Sequence, residues 1–153
     1  MELSEFFKEE NVSPQLKARD KKSVLEELAE LVCLNDPSID KGALVEVLVE
    51  REHLGSTGIG DGVAIPHGKL SSVSEPVISF GRSKEGLDFD SMDGQPAYLF
   101  FLLIAPENSS GVHLQALARI AKILKSDSFR KRLMETETKE EIYQEIIRTD
   151  EKH

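Results

Sequence analysis

The chain has 153 residues, of which 39% are hydrophobic, a length and composition that suit one domain, residues 1–153, with a substantial core. Charged residues make up 31% and the formal net charge is -9, which repels nucleic acid and anionic membrane surfaces and favours a basic protein partner. Cys33 is the single cysteine, the longest apolar run, Ala97–Ala105, is far short of a membrane span, and the N-terminus lacks the basic-then-apolar order of a signal peptide, so a soluble, cytoplasmic protein without an intramolecular disulfide is expected.

Asp20 is placed to cap a helix in which Val24, Leu25, Leu28, Leu31 and Val32 recur at three- and four-residue spacing until Asn35 and Pro37 end it. Asp40 caps a second helix with Leu44, Val47 and Leu48 on one face, which runs to Arg51, Glu52 and His53 before Gly55 stops it. Residues 63–65, 77–80 and 97–104 are short runs rich in branched and aromatic side chains between Gly, Pro and Asp, the pattern of strands. The third run is apolar on both alternating faces, as in a central strand covered by helices on each side. After Pro106 a loop over 107–111 leads into a helix with His113 in its first turn and an inner face read as Leu114, Leu117, Ala118, Ala121 and Leu124. Helical segments over 129–134 and 139–147 close the chain, the latter capped by Thr138 with Ile142, Ile146 and Ile147 turned inward. The sum is a layered α/β domain.

The stretch Gly55-Ser56-Thr57-Gly58-Ile59-Gly60-Asp61-Gly62 is glycine-rich enough for close backbone approach, yet it meets neither nucleotide motif. A P-loop requires Lys and then Ser or Thr where Asp61 and Gly62 stand, and a dinucleotide fingerprint fails at Val63. Pro66 then holds Ile65 extended and puts His67 just beyond the strand end, facing a rim, with Gly68 leaving room beside the imidazole. An accessible neutral imidazole is a nucleophile towards phosphorus when its other nitrogen is held by an acceptor; the alternative is a plain turn histidine. His113 opens a helix, where backbone N–H groups favour anions, and follows a strand able to lie beside the one ending at His67. Arg51 either binds phosphate oxygens or serves as a helix-end cation. Glu52 is read as solvated and His53 as a helix-end or exposed residue. Ser56 and Thr57 lack a nucleophile elbow and default to turn hydrogen bonding. With no His-Glu-x-x-His and no ligand paired with Cys33, no metal is expected.

Arg51-Glu52, the run GSTGIGDGVAIPHGKL from Gly55 to Leu70, FDSMDGQP from Phe89 to Pro96, the strand to Pro106 and His113-Leu114 follow one another in an order that resembles a known family. These residues resemble the IIA proteins of the bacterial phosphoenolpyruvate-dependent phosphotransferase system, of the fructose-mannitol class and especially its nitrogen-regulatory branch. The likeness spans most of the chain, and the segment around His67 is its most specific part. It implies a mixed, largely parallel sheet sandwiched between helices and a phosphotransferase with a phosphohistidine intermediate. His67 would be the phosphoryl acceptor, with His113 beside it, Arg51 supporting the phosphoryl group, and Thr57 and Gly68 supporting the pocket. The implied donor is the phosphocarrier protein HPr. The implied recipient is a downstream regulatory target or, for a sugar-transport component, a IIB domain; no cofactor, nucleotide or metal is implied. A small-molecule binding module without transfer is the competing reading of another class.

Overall fold

In the computed structural model, which describes residues 1–152 apart from the Ser110 side chain, the most apolar run of the sequence becomes the central strand β6 (Ala97–Ala105). Leu99, Phe101 and Leu103 enter one core cluster and Phe100, Leu102 and Ile104 another, because successive side chains of a strand point to opposite faces. A strand with no polar face must be covered twice. Helices α1 (Lys21–Asn35) and α2 (Lys41–His53) cover one side, and α3 (Ser110–Ile123), α4 (Asp127–Glu135) and α5 (Lys139–Glu151) the other. Asp20, Asp40 and Thr138 cap α1, α2 and α5 as their sequence positions predict, accepting from the backbone N–H of Ser23, Ala43 and Glu141.

The sheet runs β1 (Phe7–Ser13), β5 (Val77–Leu87), β6, β3 (Val63–Ala64), β2 (Gly58–Gly60), and β4 (His67–Lys69) also pairs with β6. β1 on β5, β3 on β6 and β4 on β6 are parallel, whereas β5 on β6 and β2 on β3 are antiparallel. The sheet is therefore mixed and mostly parallel. Val63 faces Leu99 and Ala64 faces Phe100; after a break at Ile65 and Pro66, His67 faces Leu103 and Gly68 faces Ile104. Pro66 has no N–H for the ladder, although its carbonyl still accepts from Leu103 N at 3.0 Å. His67 thus opens a new strand segment instead of standing just past the end of one.

Two further readings of the sequence are corrected. Of the inner face read for α3, Leu124 is buried and Leu117 and Ala121 pack partly buried on the core, whereas Leu114 is 65% exposed and Ala118 is exposed; the buried stripe within the helix is His113, Ala116, Ile120 and Ile123. The helix is rotated by about one residue because its first turn faces inward through His113. Strand β5 runs past residue 80 to Leu87 and carries Arg82, which is fully buried. Its Nε donates to Pro14 O at 3.0 Å and its Nη1 to Leu133 O at 2.8 Å and to Thr136 O. These are carbonyls at the end of α4 and after β1 that a helix or strand end leaves open. Replacing Arg82 with Ala strands several buried acceptors and opens a cavity, at a cost of about 3 kcal/mol or more. Urea denaturation checks this, and a loss below about 1 kcal/mol would mean that water satisfies the carbonyls equally well.

Candidate functional site

α2 ends at His53, Leu54 caps it, and Gly55 follows with a φ of 145°, a region open mainly to glycine, which turns the chain back under the helix towards β2. Arg51, in the last turn, reaches across to β4. Its Nε donates to His67 Nε2 at 3.3 Å and its Nη1 to Gly55 O at 3.0 Å. On the other side of the ring, His67 Nδ1 lies 2.8 Å from the carbonyl oxygen of Ile65. A carbonyl can only accept, so in the neutral ring Nδ1 carries the proton and Nε2 the lone pair.

The ring of His113 lies 5.4 Å from that of His67, centroid to centroid, with the planes 55° apart. His113 is 8% exposed and its Nδ1 is buried without a partner among the described residues. A buried orphan acceptor is tolerated better than an orphan N–H, which puts the proton on Nε2, the nitrogen left to meet a ligand. Arg51, His67, Gly68 and His113 share the wall of an open hollow of about 520 Å³, with Val47 and Leu54 on its apolar side. Leu54 is 84% exposed, and Leu114 beside His113 is exposed too, so the imidazole sits among uncovered apolar side chains.

Burial pushes the His67 pKa below its ordinary value, and the Arg51 cation adds to this; the Ile65 carbonyl and the Glu52 carboxylate oppose it. His113 is lowered as well, by burial first and then by His67 and Lys69. Both rings are therefore neutral near pH 7, and an unprotonated His67 is a nucleophile.

Other residues singled out in the sequence take different places. Thr57 is buried, and instead of lining the hollow it gives its hydroxyl to Glu52 and its N–H to Glu52 Oε1 at 3.0 Å. Gly68 does line the hollow, but packing is what requires it: a Cβ there would stand 2.4 Å from Val47 Cγ1, so β4 lies directly against α2. Glu52, read from the sequence as solvated, is 8% exposed, with Lys21 Nζ 3.0 Å from Oε1. The signal that reveals it is spacing, since Leu44, Leu48 and Glu52 continue one buried stripe at four-residue intervals. His53 is exposed and borders a separate hollow with Lys21 and Asp90. Among the described residues, no group of three or more His, Cys, Asp or Glu is arranged to hold a metal ion, and no helix is long and apolar enough to cross a membrane.

The family described as phosphoenolpyruvate-dependent sugar phosphotransferase system, EIIA 2, matches residues 5–149. The chain belongs to this family. As a IIA protein it is 43% identical over 147 residues to the nitrogen regulatory protein of Bradyrhizobium diazoefficiens, a match that covers 94% of this chain and 93% of that one. It is 37% identical over 150 residues to the fructose-specific EIIABC component of Bacillus subtilis, which covers 98% of this chain but only 24% of that much longer protein. The crystal structure of nitrogen regulatory protein IIA-Ntr from Neisseria meningitidis, 34% identical, superposes with a TM-score of 0.87 over 94% of this chain and 98% of that one. The family and the fold are those that the residues around His67 resemble.

The lowered pKa values have a sign that can be tested. Unfolded histidines take up protons around 6.5 whereas the folded ones resist, so their contribution is present above that pH and is lost on acidification. Between about pH 7.5 and about pH 5.5, wild-type protein should lose more unfolding free energy in urea titrations than a His67→Gln/His113→Gln variant. Equal losses would show that the fold does not hold these two rings neutral.

Proposed function

We propose that this IIA protein is a cytoplasmic phosphocarrier in which His67 Nε2 accepts a phosphoryl group from the phosphohistidine of HPr and passes it to a further protein. The observation that carries the reading is the Ile65 carbonyl on Nδ1, which leaves Nε2 as the lone-pair nitrogen at a hollow shared with Arg51 and His113. A regulatory role of the nitrogen type is supported by the match to the Bradyrhizobium nitrogen regulatory protein over nearly the full length of both chains. The identity to the Bacillus fructose component favours a second reading, a sugar-transport IIA that passes phosphate to a IIB domain. A single sheet whose helical cover comes from both halves of the chain supports one IIA domain over residues 1–153.

Transfer runs in line. The Nε2–P bond forms as the P–N bond to the donor histidine breaks, and the donor nitrogen recovers its electron pair. His67 keeps its Nδ1 proton throughout. Positive charge that develops on the ring is met by the Ile65 carbonyl dipole. Arg51, which donates to the Nε2 lone pair in the resting site, turns that N–H to the phosphoryl oxygens as the lone pair is used. His113 offers the same oxygens a neutral donor. Val47 and Leu54 give the hollow an apolar side that a docked partner would cover and so clear of water, and the acidic exterior suits a basic partner surface.

Incubation with phosphoenolpyruvate, the first enzyme of the pathway and HPr should add one phosphoryl group by intact mass, acid-labile and stable to alkali. His67→Ala should abolish it. Phosphate on His113 or His53, or none at all, would overturn the reading, the last outcome in favour of a binding module. His113→Ala should leave His67 able to accept phosphate but slow transfer by on the order of a hundredfold in both directions, the scale of one lost transition-state donor. Rapid-quench kinetics decides this: unchanged rates would make His113 structural, and a shifted equilibrium would mean that it stabilises the phosphorylated ground state.

A further inference from the structure

The site has a buried charge that the transfer chemistry does not use. Glu52 continues the apolar stripe of Leu44 and Leu48 on α2, at a position where a fold that required only packing would place another apolar residue. A carboxylate taken out of water is costly unless it is paired and its lone pairs are filled. Here both conditions are met. Lys21 Nζ approaches Oε1 at 3.0 Å, the Thr57 N–H donates to the same oxygen at 3.0 Å, and the Thr57 hydroxyl donates to Oε2. Lys21 is itself held 4.9 Å above the Phe89 ring and 3.5 Å from Asp90, so the first residue of α1 is tied to the last turn of α2.

The consequence lies one strand further on. Thr57, clamped through both its N–H and its hydroxyl, offers its carbonyl to Ile65 N at 3.0 Å. The Ile65 carbonyl then accepts a hydrogen bond from His67 Nδ1–H at 2.8 Å. Ile65 has little freedom to adapt, since its N–H is bound on one side and Pro66 restricts it on the other. Resting on the reading of His67 as phosphoryl acceptor, we infer that Glu52 is a positioning residue: through Thr57 its carboxylate sets the Ile65 carbonyl, and with it which imidazole nitrogen is nucleophilic. The Glu52 charge also acts in the useful direction, opposing the pull of Arg51 on His67 and favouring the cationic ring that forms during transfer.

The experiment measures the tautomer before any transfer. Imidazole 15N shifts of unphosphorylated wild-type protein should report His67 as the Nδ1–H form. Glu52→Ala should turn this into a mixture with Nε2–H, and kcat for transfer should fall by about tenfold or more with KM for HPr unchanged, because Glu52 lies under the site and does not touch the partner. Glu52→Gln keeps the volume but has one oxygen for the donors now shared between two, and should fall between wild type and Ala in both readouts. A folded Glu52→Ala protein with the wild-type tautomer and wild-type kcat would overturn the inference. If that variant does not fold, an unchanged tautomer and kcat in Glu52→Gln overturns it equally. The tautomer readout involves no partner, so it decides the role of Glu52 even where the wild-type protein fails to accept phosphate and the carrier reading falls.

Discussion

The register of β6 is the constraint on which the rest of the site depends. β3 and β4 lie on the same edge of that strand with one constant offset, although Ile65 and Pro66 interrupt them. Gly62 and Pro66 aim their carbonyls at β6, so that of Ile65 points away from this strand and is open to the His67 side chain, while the preserved offset returns the chain to the sheet within two residues. A slip of one residue would turn every side chain of the segment to the opposite face and move the imidazole from the α3 side to the core beneath α1 and α2. The position of His67 is therefore set by backbone pairing on a rigid central strand, with the side-chain contacts adjusted to it.

Around that fixed point the protein arranges charge economically. Arg51 and Glu52 are neighbours at the end of one helix, yet one faces the hollow and the other the interior, because successive helical residues are about 100° apart. The cation thus reaches the outer nitrogen of His67 directly, and the anion acts on the inner nitrogen through two residues, Thr57 and Ile65. The opposing influences of the two on the ring leave burial as the main reason that it stays neutral.

Much of this was legible in the residues. The helix caps at Asp20, Asp40 and Thr138, the doubly covered strand and the placing of His67 and His113 near one another follow from spacing and turn chemistry. The strands that escaped notice share a physical cause. β1 shifts register between Phe7 and Val12, which makes Asn11 and Val12 consecutive buried residues and destroys the alternation, and Gly58–Gly60 and His67–Lys69 are strands only because β3 and β6 offer them partners. Glu52 reads as a solvated charge, and Arg82, beyond the strand read over 77–80, draws no reading at all, because sequence reveals a residue's polarity but not the carbonyls, hydroxyls or amines that wait for it in the interior.

The contact between Arg51 and the lone pair of His67 has a bearing on selectivity. A histidine nitrogen with a free lone pair is an indiscriminate ligand, open to transition-metal ions and to carbon electrophiles. With a guanidinium N–H already lodged against Nε2, a metal cation meets a positive charge at the mouth of the site, and a neutral electrophile gives Arg51 nothing to move towards. In the proposed transfer, an incoming phosphoryl group, a multiply charged anion, would draw the guanidinium onto its own oxygens and so uncover the nitrogen at the moment it is required. At 3.3 Å the masking bond is long and weak, so under the proposed function the same residue would act as a chemical filter in the idle protein and give way to the phosphoryl donor.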